Sequence, residues 1–427
     1  MTKSNLPTFN QIMQFVTLKK HKIIELIDKY NLEYQNDGFS SWDHLMIMVY
    51  SQIAHLSSLR SIVATIGSQP SRYHVMGLSE IPNRSTIAYA NSHRNWVFFQ
   101  DVFNLVYKSV KDSLAIAGVH SKLPALDNDT YFIDATVIDV SLSLFEWARY
   151  RTAKGGFKIH NCCDKDLIPQ FAIITPARTS DVSVLENIIK YQENSGTILQ
   201  DSISDFDAVN LQNIHFPRGS VLCFDRGYLK FSLLYKIDSL GLFYVTRAKT
   251  EMAYEVVQEN VISADLTPIN PDAAEVIKDQ IIRFKSKKAQ DDYPDTLRLI
   301  TAVDNVNGIT YRFLTNLLDP TPDVISAVYK ARWSIEVFFK TIKQRLVVTN
   351  LLGVSTNAVK IQIFSAMIAL VIALYHKLIA KIRWDLSSFF EVIRTNLFHY
   401  IDLVSLRDNP LTSHPPPPDG IEQNKLF

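Results

Sequence analysis

The pattern of the chain changes near residue 128, and this change limits the possible folds more than any other feature. The preceding residues have the apolar periodicity of helices, whereas the following ones form short β-branched stretches typical of strands. Helical patterns return between the later strands. We predict strands over 131–140, 157–163, 171–175, 220–224 and 243–246, with helices over 181–191 and 229–240.

The resulting order, β-β-β-α-β-α-β, is the order of a ribonuclease H-like sheet. Its fourth strand, from Ser220 to Phe224, is apolar between its ends, which indicates burial on both faces. We therefore predict an α/β ribonuclease H-like catalytic core, a mixed sheet flanked by helices, over residues 126–247 and 310–350.

The segments around this core have different patterns. Residues 248–309 are polar and are predicted to form a β-rich insertion. Residues 351–400 are predicted to form C-terminal helices, and the prolines of 401–427 indicate an extended tail. In these regions and at the end of the core, we predict strands over 280–285, 297–304 and 310–316 and helices over 323–346, 359–381 and 386–397.

Residues 1–125 are predicted to form an all-helical N-terminal domain. Apolar periodicity predicts helices over 9–30, 43–56 and 58–66. A further helix is expected through residue 99, with Ser85 or Thr86 as its N-cap. A helix after a short capped turn is compatible with a helix-turn-helix DNA reader, in which Arg84 would contact DNA. An ordinary helical bundle is the alternative.

Composition excludes several classes of protein. A net charge of +1 over 427 residues argues against a uniformly basic DNA-coating protein but not against local basic patches. Three cysteines, two of them adjacent, do not form a disulfide framework or a zinc finger, so a reducing cytoplasm is expected. The ten uncharged residues from Ala366 to Tyr375 are too few to span a membrane, so no membrane partner is expected and a buried helix is predicted.

Two aspartates occupy unusual positions in the predicted sheet. Asp134 lies in the middle of an apolar strand, where a carboxylate is costly unless it is paired or binds a metal. Asp225 directly follows the buried fourth strand, at the strand end where such sheets bind ligands. Each alone is equally well explained as a cap or turn residue, but together on one sheet they favour a site.

A third carboxylate lies on a basic helix face. At about 100° per residue, Tyr329, Arg332, Glu336, Lys340 and Lys343 share one face of the predicted helix. One alternative is a solvated face in which Arg332 and Lys340 form ion pairs one turn either side of Glu336. The apolar residues between them, including Trp333, would then pack at the flanks of this face.

The spacing Tyr329, Arg332, Glu336, Lys343 resembles the Y-x2-R-x3-E-x6-K signature of bacterial insertion-sequence transposases with an Asp-Asp-Glu triad. The resemblance runs from about residue 128 to 350. It includes the stretches around Asp134 (IDATVIDV), residues 154–160 (KGGFKIH), residues 175–181 (TPARTSD) and Asp225 (FDRGY).

The resemblance implies a DNA transposase with Asp134, Asp225 and Glu336 as catalytic and metal-binding residues. Such a triad holds two Mg²⁺ ions, with Mn²⁺ able to substitute, since carboxylate oxygens suit these ions. Asp134 would bridge both ions, and the other two carboxylates would each complete one. The implied reaction is cut-and-paste excision at terminal inverted repeats, through a hairpin on the transposon end, followed by strand transfer into target DNA.

The resemblance also suggests which residues hold DNA. Arg332 and Lys343 would hold phosphates beside the scissile bond, and Tyr329 would contact the end phosphate. Neighbouring cations at Lys340, Lys154 and Lys158 would add backbone contacts, which position DNA without reading its sequence. His160 is a weaker candidate, because a lone strand histidine is more often a packed or exposed residue than a ligand.

One departure from the family concerns the hairpin. Well-studied relatives stabilise a flipped base with a tryptophan in the insertion, but none of the five tryptophans here lies in 248–309. The alternatives are stacking by Tyr254 or Tyr293 in its place and a different hairpin step, and that role stays unassigned.

Both transposon ends must be synapsed, so a homodimer is expected, in a bacterial cytoplasm and at the nucleoid when DNA is bound. The apolar helices after residue 360 could form the dimer contact or the domain core. Rival interpretations are a ribonuclease H-like nuclease that only hydrolyses DNA and a domesticated DNA-binding protein derived from a transposase. Terminal inverted repeats beside the gene would favour the transposase.

Overall fold

A mixed β-sheet forms the centre of the molecule in the computed structural model. The model describes residues 6–33, 38–68, 70–119, 126–141, 145–151, 154–194, 211, 214–262, 274–304, 308–401 and 403. Within these residues the strands are Thr130–Val140 (β1), Arg149–Arg151 (β2), Lys154–Asp164 (β3), Pro169–Pro176 (β4), Val221–Phe224 (β5), Phe243–Arg247 (β6), Tyr254–Glu259 (β7), Glu275–Phe284 (β8), Leu297–Asp304 (β9) and Ile309–Thr315 (β10).

Helices cover both faces of this sheet. They are Thr8–Ile12 (α1), Gln14–Leu18 (α2), Lys20–Lys29 (α3), Ser41–Ile53 (α4), Leu59–Gly67 (α5), Pro70–Val75 (α6), Arg84–His93 (α7), Trp96–Ile116 (α8), Asp181–Glu193 (α9), Phe231–Ser239 (α10), Lys287–Asp292 (α11), Pro322–Arg345 (α12), Thr356–Ile379 (α13) and Leu386–Thr395 (α14). Short 3-10 turns lie at Glu146–Ala148 and Arg226–Tyr228.

The strand order places the predicted core strands side by side. β3 lies between β1 and β4 and is antiparallel to both, whereas β5 and β6 run parallel to β1. The sequence prediction of a mixed sheet flanked by helices is confirmed. Gly155 and Gly156 lie inside β3 rather than in a turn, opposite Val140 and Asp139 of β1.

The segment predicted as a β-rich insertion extends the same sheet. β10 pairs with β6, and β9, β8 and β7 follow in that order, all antiparallel. β7 and α11 were not expected, because the sequence there is polar. Ser286 caps α11 by accepting a hydrogen bond from the Ala289 amide.

The two faces of the sheet pack against different helices. On one face, Phe132 of β1 and Cys223 of β5 belong to the hydrophobic core that includes α12 and α13. On the other, Ile133 and Phe224 belong to the core that includes α9 and α10. Because side chains alternate along a strand, Asp134 and Asp225 continue the face that α12 covers.

The N-terminal region is helical, but two of its predicted helices are divided. The helix predicted over 9–30 consists of α1, α2 and α3, with breaks where Met13 and Lys19 have ψ angles of 4° and 13°. Neither break has a glycine or proline, so packing of the buried Phe9, Met13 and Val16 overrides local helix preference. The helix predicted through residue 99 ends at His93, and Asn95 caps a new one by accepting from the Val97 amide.

The C-terminal helices share one core with the N-terminal ones. α13 packs against α4 and α8, and 94 % of its most apolar stretch of 18 residues is buried. By length and composition this helix is apolar enough to cross a membrane, but here it lies in the hydrophobic core, as the sequence predicted for residues 366–375. Of the predicted tail, Leu403 is buried beside Gln11, and residues 402 and 404–427 lie outside the described part.

Candidate active site

The first two carboxylates lie at neighbouring positions of adjacent parallel strands. The register of β1 and β5 pairs Ile133 with Phe224, so the next positions along the strands are Asp134 and Asp225. Adjacent strands lie about 4.8 Å apart, and side chains at paired positions point to the same face. The fold therefore brings the two predicted aspartates together at one edge.

Asp225 is held in place by its own backbone turn. Its Oδ1 accepts a 2.6 Å hydrogen bond from the amide of Gly227, in the 3-10 turn after β5. A Cβ at Gly227 would lie 2.8 Å from the same oxygen. A side chain at position 227 would therefore push the Asp225 carboxylate out of this position.

The third carboxylate reaches the site through α12. Arg332 donates from Nη1 to Asp134 Oδ2 at 3.2 Å and from Nη2 to Glu336 Oε1 at 2.7 Å. Arg332 is only 5 % exposed, and within the described part of the chain its Nε has no hydrogen-bond partner. One guanidinium thus joins two of the three predicted catalytic residues.

The pKa of Asp134 is shifted by its burial and by the charged groups around it. Burial raises the pKa of Asp134 to about 6, against an opposing hydrogen bond from the Ala135 amide and the positive charge of Arg332. The charges of Asp225 and Glu336 raise this pKa as well. The negative charges of both other carboxylates therefore act on Asp134, as expected at a site that binds a cation.

Tyr329 is buried beneath the arginine rather than free at the surface. Its ring centroid lies 5.0 Å from that of Phe313 on β10, and the Arg332 guanidinium lies 5.5 Å from its ring. Burial raises the pKa of Tyr329 to about 12, so the phenol stays protonated at neutral pH. In this arrangement the Tyr329 ring forms a cation–π contact with the Arg332 guanidinium.

Lys158 and His160 lie on the face opposite to α12, around Asp181. The Lys158 ammonium donates 2.8 Å hydrogen bonds to Asp181 Oδ1 and to the Thr179 carbonyl. His160 is buried, with Nε2 2.8 Å from Thr175 Oγ1 and Nδ1 3.7 Å from Asp181 Oδ1. Burial lowers the pKa of His160 to about 3, which fits a packed, neutral imidazole.

The remaining predicted basic residues are spread more widely. Lys340 is exposed and Lys343 half-buried, both beyond Glu336 on α12. Arg84 is exposed at the start of α7, in the N-terminal helices. The Lys154 side chain lies outside the described part of the structure.

Four further residues lie at or near the site and were not identified from sequence. Asn161 pairs with Asp134 across β1 and β3 and is fully buried. Among the residues that the structure describes, neither its Oδ1 nor the buried hydroxyl of Tyr228 has a hydrogen-bond partner. Arg247 ends β6 at the same sheet edge as Asp225. Trp333, expected to supply apolar packing, is instead 64 % exposed beside Arg332. Only Asn161 gave a signal in the sequence, because asparagine is disfavoured in strands and it lies within the predicted strand 157–163.

The described residues contain no ready-made metal cluster of three or more acidic, histidine or cysteine side chains. The three cysteines are free and buried. The charges of Asp225 and Glu336 nonetheless both raise the pKa of Asp134, and the Arg332 guanidinium forms ion pairs with Asp134 and Glu336. The donor chemistry therefore fits a hard divalent cation.

Comparison with known proteins gives two family matches. Residues 126–372, more than half of the chain, match a family model described as a transposase DDE domain. This range contains β1, β5 and α12. Residues 4–79 match a model described as a domain of unknown function, DUF4372.

Two curated proteins are similar to the chain. One, from Sinorhizobium fredii, is named as a transposase, y4zB; it is 28 % identical over 332 residues, 77 % of this chain and 81 % of that protein. The other, from Geobacillus stearothermophilus, is named as the transposase for insertion sequence element IS5377. It is 26 % identical over 242 residues, 56 % of this chain and 54 % of that protein.

Proposed function

The chain belongs to the DDE transposase family, whose members cleave DNA and transfer strands, and on this premise we propose that Asp134, Asp225 and Glu336 are the catalytic carboxylates. The observation that supports this most is the contact of one guanidinium with Asp134 and Glu336, which are 202 positions apart in the sequence (336 − 134). Asp225 lies on the strand beside Asp134.

DDE transposase domains generally use divalent metal ions. We propose that the three carboxylates would hold two Mg²⁺ ions, with Mn²⁺ able to substitute. Such ions, when bound, activate a water or hydroxyl and stabilise the leaving oxygen. Asp225 is preorganised for this task, because its carboxylate is fixed by the Gly227 amide.

The basic residues of α12 would hold the DNA backbone beside the carboxylates. Arg332 lies beside Asp134 and Glu336, and Lys340 and Lys343 follow within about three turns on the same face. Tyr329 would contact the end phosphate through its hydroxyl. Arg84 would add a contact from α7, and Lys158 would have to leave Asp181 to bind a phosphate.

We propose cut-and-paste transposition, with excision at the terminal inverted repeats and strand transfer by the freed 3'-hydroxyl into target DNA. A homodimer would hold the two ends together, in a bacterial cytoplasm and at the nucleoid while DNA is bound. α13 is buried in the hydrophobic core of one chain, so the dimer contact would use another surface.

The test is cleavage of DNA that carries the element's own ends, in Mg²⁺, by variants Asp134→Asn, Asp225→Asn and Glu336→Gln. Each should abolish cleavage, by at least about a thousandfold, while end binding in a mobility-shift assay stays within about threefold, because the carboxylates serve chemistry rather than affinity. Asp139→Asn is the matched control, since Asp139 lies exposed on the opposite face of β1. Full cleavage by any triad variant, or equal loss in the control, would refute the assignment.

A further inference from the structure

Arg332 is the only cation that an ion pair joins to the triad among the described residues. Its two terminal nitrogens bind different carboxylates, Asp134 on β1 and Glu336 on its own helix. Those carboxylates are themselves 20 % and 39 % exposed, whereas the arginine side chain is 6 % exposed. The guanidinium therefore lies deeper than the acids it joins.

A buried guanidinium is stable only while it has anionic partners. Moving an unpaired ion out of water costs several kcal/mol even after relaxation, on the order of the stability of a small domain. The same holds for Asp134, which faces two like charges besides its burial. Each group thus needs the other while no further cation is present.

A divalent ion bound by the same carboxylates would compete for the same lone pairs. Asp134 Oδ2 and Glu336 Oε1 both accept from Arg332. The competing groups are a fixed guanidinium and a mobile ion, both positively charged.

We propose that Arg332 is the counter-ion of the catalytic carboxylates before loading and is exchanged for a divalent metal ion when the site is filled. This rests on the proposed assignment of the triad. After exchange the guanidinium needs a new anion, and a DNA phosphate beside the carboxylates supplies one. Its Nε has no hydrogen-bond partner among the described residues and offers an additional donor for that phosphate.

The test measures metal affinity rather than transposition. Full-length protein without DNA is titrated with Mn²⁺, and free Mn²⁺ is followed by electron paramagnetic resonance. Arg332→Gln should bind Mn²⁺ at least about fivefold more tightly than the unaltered protein, because a competing positive charge is gone. Lys330→Gln is the matched control: it removes one charge from an exposed position about 160° around α12 and should change affinity less than about twofold.

Arg332→Lys provides a second variant that keeps the charge. A lysine has one charged nitrogen and loses the two-pronged bridge, so Mn²⁺ affinity should lie between those of the unaltered protein and Arg332→Gln. This variant carries the test if Arg332→Gln does not fold. Unchanged or weaker Mn²⁺ affinity in both arginine variants would overturn the exchange.

Asp134→Asn separates this inference from the function beneath it. Mn²⁺ binding should be lost in that variant whether or not Arg332 is altered. If Asp134→Asn abolishes binding while the arginine variants have no effect, the triad stands and the exchange is wrong. If Asp134→Asn binds Mn²⁺ normally, the proposed metal site and the exchange both fall.

Discussion

The ammonium of Lys158 lies 2.8 Å from a carboxylate oxygen of Asp181, across the start of α9. The family resemblance implies that Lys158 contacts the DNA backbone. In the structure the Lys158 ammonium contacts Asp181 and the Thr179 carbonyl, and its side chain is mostly buried. The pair links β3 to the first turn of α9.

We therefore expect Lys158→Met to act mainly on stability. Loss of two hydrogen bonds from a charged group should lower the free energy of unfolding by about 1.5–3 kcal/mol, as measured by chemical denaturation. The salt dependence of DNA binding should stay nearly unchanged. A variant as stable as the unaltered protein, with a salt slope reduced by about one, would instead show that Lys158 contacts phosphate.

Lys343 should behave in the opposite way. It is half-exposed on the α12 face that carries Glu336, so Lys343→Ala should weaken end binding and reduce the slope of log affinity against log salt by about one. Binding measured by fluorescence anisotropy at several salt concentrations checks this.

The matched control for Lys343 is Lys236→Ala. Lys236 lies on α10, on the other side of the sheet, and pairs at the surface with Glu193. Its loss changes net charge equally but should leave the salt slope unaltered. Equal slopes for Lys343→Ala and the unaltered protein would remove Lys343 from the DNA surface.

Local patterns predicted the core strands and α12 to within a few residues, because each has a clear period and identifiable ends. The same patterns placed Asp134, Asp225 and Glu336 on the right elements. They did not predict that Arg332 would bridge two acids, since this depends on how α12 crosses β1. The breaks at Met13 and Lys19 were missed for a similar reason, as distant packing fixes them.

The buried histidines predict an acid-sensitive fold. Burial, together with the positive charge of Lys158, lowers the pKa of His160 from an ordinary value of about 6.5 to about 3, although Asp181 lies nearby. Between about pH 6.5 and 3, the unfolded chain therefore binds a proton at His160 that the folded protein does not bind. The contribution of the neutral His160 to the free energy of unfolding is fully present above about pH 6.5 and is lost as the pH falls towards about 3.

We expect the free energy of unfolding to decline below about pH 6.5 by about 1.4 kcal/mol per pH unit for each such histidine. His160→Gln should reduce this slope by up to one proton, leaving the contributions of His44 and His376, whose pKa values are lowered by burial to about 3 and about 4. Urea denaturation from pH 4.5 to 7.5 measures it. An identical slope in the variant would mean that His160 is already protonated in the folded state.

Two arginines around α7 should separate DNA binding from folding. Arg84 is exposed at the first position of the helix, whereas Arg94 is buried and donates to the carbonyls of Phe39 and Ser40. If α7 faces DNA, Arg84→Ala should weaken binding about five- to fiftyfold with little change in stability. Arg94→Ala should destabilise the protein, because two carbonyls lose their donor.

DNA affinity by anisotropy and unfolding by denaturation are measured on both variants. The helix-turn-helix interpretation predicts that Arg84→Ala lowers DNA affinity and that Arg94→Ala lowers stability. Unaltered DNA affinity in Arg84→Ala would favour the plain helical bundle.

The buried ion pair of Arg298 and Asp279 connects β8 and β9 to the loop before α12. Arg298 of β9 binds both carboxylate oxygens of Asp279 on β8, at 2.9 and 2.8 Å. Its Nη1 also donates to the carbonyls of Leu317, Leu318 and Pro320, just before α12 begins. One side chain thus serves an ion pair and a loop.

Arg298→Met should cost about 3–5 kcal/mol, because it leaves a carboxylate buried without a partner. Arg298→Met combined with Asp279→Leu removes both charges and should recover part of this loss. Recovery should be incomplete, since the loop carbonyls before α12 still lack their donor. Chemical denaturation of the two single variants and the double variant measures the difference. Full recovery in the double variant would mean that the carbonyl contacts contribute nothing and that the ion pair alone matters.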